Sequence, residues 1–209
     1  MRRAFLLSAL VVALPSPAIS SPRLPRRSLP VPLVRQATDY SCGAAALLSV
    51  LFYWNAFDGK ESDLYDLLKL SPQDGAPPEN IAAAAAHFGL KAGVSENLTI
   101  DELRLALERG ETPIVDLQAW REPGSKKPWR EEWEDGHYAV LVGLDKKNAY
   151  LMDPSSPGAY AWLPLDELVE RWHDYEDRGG IHRRTNRLAI LISGKRASRQ
   201  YPAPLVRME

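Results

Sequence analysis

A single cysteine, Cys42, stands among 209 residues, in the string Gln36-Ala37-Thr38-Asp39-Tyr40-Ser41-Cys42-Gly43-Ala44-Ala45. An apolar run follows it, which places the thiol in the first turn of an expected helix. There the positive end of the helix dipole favours thiolate, the form that attacks carbonyl carbon. Gly43 reads as a position kept small so that a substrate backbone can approach the sulfur. Gln36, six residues upstream on the lead-in loop, can bring a side-chain amide towards the Cys42 backbone N–H. Two such donors would make an oxyanion hole. The plainer alternative is a buried, inert cysteine acting as a small hydrophobe.

A thiolate nucleophile needs an imidazole partner. Of the four histidines, His137 is the best candidate: it follows Gly136 and opens a wholly apolar segment, HYAVLVG. His87 falls at the end of an alanine-rich helix and reads as a core or capping residue. His173 and His182 flank the charged stretch DYEDRGG and read as solvated. The imidazole in turn needs an orienter. Asp153, sixteen residues on, closes the next apolar segment, where it is equally readable as a turn residue before Pro154.

Several elements must position these groups. A helix from about Cys42 to Trp54, opened by Ser41 as its cap, is apolar nearly all round and should be central. Helices are expected at Glu61 to Leu70, Pro77 to Phe88 and, from the capping box Thr99-x-x-Glu102, up to Gly110. The period then changes. Strands are expected at Thr112 to Ala119, His137 to Gly143, Ala149 to Asp153, Gly158 to Leu163 and Leu188 to Ser193, with a helix over Pro164 to Trp172. Helices first and strands later is an α+β signature. Because side chains alternate along a strand, His137 and Asp153 share a face only in one hairpin register. A two-residue turn pairing Asp145 with Asn148 puts them on opposite faces. An odd-length loop or a bulge opposes Ala139 to Asp153 and leaves His137 as its diagonal neighbour, roughly 7–8 Å away.

Composition narrows the classes. With 26 Lys+Arg against 27 Asp+Glu, no basic excess argues for nucleic acid. No apolar run reaches the ~20 residues of a spanning helix, so no integral membrane span is expected. One cysteine excludes an intrachain disulfide and Cys-rich zinc sites, and the scattered histidines give no metal or cofactor motif. In REPGSKKPWREEWED, Trp129 and Trp133 read as packing on the domain edge, ahead of walling a peptide cleft.

Met1-Arg2-Arg3, the apolar run Ala4 to Leu14, Pro15 and the small residues of Ala18-Ile19-Ser20 have the layout of a secretory signal peptide over 1–20. The chain is therefore expected to be exported, periplasmic or secreted, after cleavage near Ser20. Residues 21–32, with Pro22, Pro25, Pro30 and Pro32, read as a proline-rich linker or a strap over the surface. The domain is expected over 33–194, with 195–209 as a basic, flexible tail.

Gln36-x5-Cys42-Gly43-x-Ala45, Gly136-His137-Tyr138-x-Val140 and Asp153-Pro154 together resemble the bacteriocin-processing peptidases, papain-like cysteine enzymes that cut after double-glycine leaders. The resemblance spans roughly Val31 to Ser193. It implies a papain-like α+β fold, in which a helical half carrying Cys42 packs on a C-terminal antiparallel sheet. It implies Cys42 as nucleophile, His137 as base and acid, Asp153 as orienter, Gln36 as oxyanion donor, and a peptide or protein substrate. Leader-processing members often carry Asp where Ser41 stands, and are commonly fused to membrane-spanning ATP-driven exporters, of which this sequence has neither part. The resemblance is thus to a stand-alone, exported branch. Two other classes stay open on the same residues: a non-catalytic peptide-binding module, and an acyl transferase or amidase.

Overall fold

The computed structural model describes residues 22–121, 124–156, 158–177, 182–195, 197–198 and 204–208; the expected signal peptide lies outside them. Helix α1 (Cys42–Tyr53) carries the central apolar run, and ten of its twelve residues are buried, Cys42 and Phe52 being the exceptions. A helix apolar on every side needs neighbours on every side. A 3-10 turn at Glu61–Leu64 running into α2 (Tyr65–Leu68) and α3 (Pro78–His87) supply them, together with one face of the sheet. Tyr138, Val140, Val142, Ile114 and Ile190 are among the strand residues in this first core.

The sheet has seven strands: β1 (Lys91–Ser95), β2 (Thr112–Gln118), β3 (Gly136–Leu144), β4 (Asn148–Met152), β5 (Tyr160–Pro164), β8 (Ala189–Ser193) and β9 (Leu205–Arg207), in the order β1-β8-β2-β3-β4-β5-β9. All pairs are antiparallel except β5 with β9. The alternate residues Val115, Leu117, Ala139, Leu141 and Leu151 form a second core with Leu103 of α4 (Ile100–Glu108) and Leu168 of α5 (Leu165–Arg171). The expected α+β, papain-like arrangement is therefore present: α1 and α3 lie against one face of the sheet, α4 and α5 against the other. The Thr99–Glu102 capping box forms as read, each side chain meeting the other's backbone N–H.

Three strands escape a hydrophobic reading. β1 is short, contains Gly93 and pairs with β8 at the sheet edge. β6 (His173–Asp177) and β7 (His182–Asn186) form a separate two-stranded ribbon. Their sequences are almost wholly polar, and Glu176 opposite Arg183 gives a charge pair at 3.7 Å in place of apolar contacts. The end of the chain, read as flexible, instead contributes β9, and Met208 is buried in the second core. Residues 22–32 are a strap. Val31 is fully buried, its carbonyl accepts from the Tyr160 hydroxyl at 2.6 Å, and the Leu29 N–H donates to the Val142 carbonyl at 2.8 Å.

Candidate active site

Hairpin β3–β4 decides the site. Its turn is tight: the Asp145 N–H meets the Asn148 carbonyl at 3.0 Å, and the Asp145 carboxylate accepts from the N–H of Lys147 and Asn148 at 2.7 and 2.8 Å. Leu144 then pairs with Ala149 and Gly143 with Tyr150, but Leu141 pairs with Leu151 and Val140 with Met152. Val142 is the extra residue, a β-bulge that inverts the alternation below it. Its carbonyl is the one that meets Leu29, so the proline-rich strap crosses at the bulge. Continued one pair further, the shifted register opposes Ala139 to Asp153, with His137 diagonal to it. His137 Nε2 lies 2.7 Å from Asp153 Oδ1, both side chains fully buried.

Asp153 is at once a turn residue and the partner of His137. Oδ1 also accepts from the Ser155 N–H and hydroxyl at 2.9 and 2.8 Å, and Oδ2 from the Ser156 hydroxyl at 2.7 Å. Trp120 closes over the imidazole with ring centroids 4.7 Å apart. Burial alone would lift the Asp153 carboxyl, but the hydrogen bond and charge of His137, with Ser156 and the Ser155 N–H, hold it far below the usual carboxylate range.

Cys42 begins α1 and is partly exposed at the floor of a cleft. Burial pushes its thiol up. The neighbouring His137 imidazole and the N–H groups of Tyr138 and Gly43 together more than offset that and leave it below the ordinary thiol value of 9.0, while His137 Nδ1 is buried and makes no hydrogen bond. Burial pulls the imidazole down, but Asp153 and Cys42 together raise His137 to about 9. Each group thus favours the charged form of the other, the condition for a thiolate–imidazolium pair.

Ser41 is the N-cap residue of α1, but its side chain makes no capping hydrogen bond. Its hydroxyl accepts from the Thr38 N–H at 3.0 Å and so ties the lead-in loop to itself. Gln36 lies on that loop and is not among the residues lining the cleft. Its backbone N–H meets the Pro154 carbonyl at 3.0 Å, one N–H of its side-chain amide is held by the Thr38 carbonyl at 2.7 Å, and its Oε1 is buried without a partner. Glu61, which sequence reasoning passed over, anchors the loop. Its carboxylate accepts from the Ala37 N–H at 3.1 Å and the Tyr65 hydroxyl at 3.0 Å. One acid among the polar residues Lys60, Ser62 and Asp63 carries no sequence signal; only the fold brings it under residue 37.

Gly43 is not open to substrate. A Cβ there would lie 3.0 Å from Ala76 Cβ and 3.1 Å from both Ile81 and the Tyr138 ring, so its smallness serves helix packing. Of the other histidines, His173 is buried, with Nε2 2.7 Å from the Glu132 carbonyl and Trp133 stacked at 4.3 Å, contrary to its reading as solvated. His182 is exposed at the cleft, and His87 is exposed on the last turn of α3. Trp129 packs on the domain edge under the Arg171 guanidinium, 3.6 Å from the ring centroid.

The cleft in front of Cys42 has a volume of ≈ 450 Å³, and Asp116, Tyr138 and Asp174 are among its lining residues. Comparison with known proteins bears on what such a cleft serves. No curated protein matches the chain. Its structure is similar to that of a double glycine motif protease from an AMS/PCAT transporter, solved in complex with the leader peptide, at 21% identity and TM-score 0.55 over 81% of this chain and 96% of that one. It is similar to a C39-like peptidase from Bacillus anthracis at 16% identity and TM-score 0.57, over 80% and 96% of the two chains. It is also similar to the peptidase domain of Streptococcus ComA, a bi-functional ABC transporter involved in quorum sensing, at 18% identity and TM-score 0.52, over 79% and 99%. At these identities the likeness is one of fold. The family model for the peptidase C39 family matches residues 30–176, most of the chain and all of the site, and the chain belongs to that family.

Proposed function

We propose that this chain is an exported cysteine peptidase that hydrolyses peptide bonds, with Cys42 as nucleophile, His137 as general base and acid, Asp153 as orienter and Gln36 as a donor to the oxyanion. The observation that carries the reading is the buried His137 ring, held by Asp153 through Nε2 and electrostatically coupled to the Cys42 thiol. In the first step the Cys42 thiolate adds to the amide carbonyl carbon and the carbonyl electron pair moves to oxygen. The oxyanion is met by the Cys42 backbone N–H and by the second N–H of the Gln36 amide, the first being spent on Thr38. The C–N bond then breaks, His137 gives its proton to the departing amine, and a thioester remains. Water attacks the thioester and returns a proton to His137; the acid leaves and the thiolate is regenerated.

A peptide substrate is supported by the similar protease solved with its leader peptide, and by a cleft open directly before the sulfur. Export rests on the basic, apolar and small-residue order of residues 1–20. The deciding experiment is digestion of a complex peptide pool by the purified mature chain, with Cys42→Ala beside it. New cleavage products that vanish in the variant are expected. Products formed at equal rates by both proteins would refute the assignment of the thiol.

A further inference from the structure

The cleft before Cys42 is acidic to an extent that peptide hydrolysis does not require. Six carboxylates line it, Asp39, Asp74, Asp116, Glu134, Asp174 and Glu176, with no lysine or arginine among the described lining residues. Asp39, Asp74 and Glu134 are exposed at the rim, which alone would be a solvated acidic edge. The floor is different. Asp116, 2% exposed, is among the residues that line this cavity, and its Oδ1 is buried with no hydrogen-bond partner. A buried carboxylate oxygen left unpaired is costly, and its persistence asks for a partner that arrives from outside.

Asp174 lines the cavity with it; burial and the like charge of that neighbour push Asp116 well above the usual carboxylate range, and burial raises Asp174 as well. Two acids held together in this way repel when both are ionised, and a cation seated between them would relieve both. The surroundings hold Asp174 there. Gln118, fully buried, donates to its Oδ1 at 2.9 Å, and the absent side chain of Gly136 leaves the room it occupies, since a Cβ would fall 2.0 Å from Asp174 Oδ2. Asp116 opposes Tyr138 across β2 and β3, and its charge is felt by the Cys42 thiol. A group seated on this pair is therefore next to the reacting bond. Among the described residues no group of three or more His, Cys, Asp or Glu is arranged to hold a metal ion, so the fitting occupant is an organic cation.

On the reading of Cys42 as a peptidase nucleophile, we infer that the Asp116–Asp174 pair is the specificity site of the cleft, seating the ammonium or guanidinium of a lysine or arginine that flanks the scissile bond.

The test uses one pool of synthetic peptides in which every arginine-containing member has a twin with citrulline, the neutral isostere. Bonds flanked by arginine or lysine are expected to be cut about 10–100-fold faster than the citrulline twins, the worth of one hydrogen bond to a charged group. Asp116→Asn and Asp174→Asn should each shrink that ratio towards one, the arginine member of each pair losing more rate than its citrulline twin. Equal cutting of arginine and citrulline twins by the wild-type chain overturns the inference and leaves the peptidase reading standing. Retention of the pool on immobilised Cys42→Ala protein separates the opposite case. Selective retention of arginine peptides that wild type never cuts supports the charge site while ending the hydrolytic reading. Retention without selectivity, or none, overturns the site.

Discussion

His137 Nε2 and Asp153 Oδ1 stand 2.7 Å apart inside the protein because one residue, Val142, is surplus to the β3–β4 ladder. The tight turn at Lys146 and Lys147 by itself would send the two side chains to opposite faces of the sheet. The bulge reverses that, and its displaced carbonyl is taken up by Leu29 of the strap. Trp120 then excludes water from the pair, and the strength of the contact rests on that low-dielectric setting. Four expectations follow from this geometry.

Iodoacetamide alkylation of Cys42 should rise with pH to a midpoint below the ordinary thiol value of 9.0, because His137 and the N–H groups of Tyr138 and Gly43 together outweigh burial. In His137→Ala the burial remains and the largest part of its compensation is gone, so the midpoint should move above the ordinary value. The kcat/KM profile of the wild type should fall again near pH 9 as the imidazolium loses its proton. An alkylation midpoint that ignores the His137 substitution contradicts the coupling.

Asp153→Asn keeps the shape and removes the charge. Turnover should drop by about 10²–10⁴ as the imidazole loses its orienting acceptor. Stability carries a matching sign. The depressed Asp153 contributes above its unfolded value of 3.8 and loses that contribution as pH falls. The raised His137 contributes in full below 6.5 and loses it as pH climbs through about 9. The stability gap between wild type and Asp153→Asn, read by urea denaturation, should be widest between these limits and narrow on both sides; a gap independent of pH contradicts the pairing.

Glu61→Ala should slow catalysis without touching substrate. It removes the acceptor of the Ala37 N–H and frees the loop bearing Gln36, at a cost of about 1 kcal/mol for one partly buried hydrogen bond. Steady-state kinetics should show the loss in kcat more than in KM, and Glu61→Gln, which keeps one acceptor oxygen, should recover part of it. Full activity in Glu61→Ala separates the loop's anchoring from the oxyanion donor.

Trp120→Ala should lower kcat by about tenfold, the equivalent of one pKa unit of pair energy lost to hydration. Because the ring is 37% exposed, the melting temperature should scarcely move, and Trp120→Phe should fall between. A large loss of melting temperature with unchanged kcat would mean that the indole packs the fold and does not shield the imidazole.

Much of this was legible from residue order. The apolar run after Cys42 read as a central helix, Thr99 and Glu102 as the cap of a fourth one, and the short apolar segments from Thr112 onward as strands, which the structure buries on both faces. Strands held by charge pairs, as Glu176 with Arg183, or by a place at the sheet edge, as β1 and β9, leave no apolar period to read. The same limit hid Glu61 and the buried site of His173, whose partners lie 24 and 41 residues away.

The sequence by itself determined that a lone thiol would head a buried helix and that an imidazole and a carboxylate would follow on neighbouring strands, since propensity and periodicity are local. Whether those groups met was left to one surplus residue in a ladder. The acids facing the thiol were gathered from β2, β6 and the loops around them, also by tertiary structure alone. Register and long-range proximity are set by how whole elements pack, and no window of residues contains them.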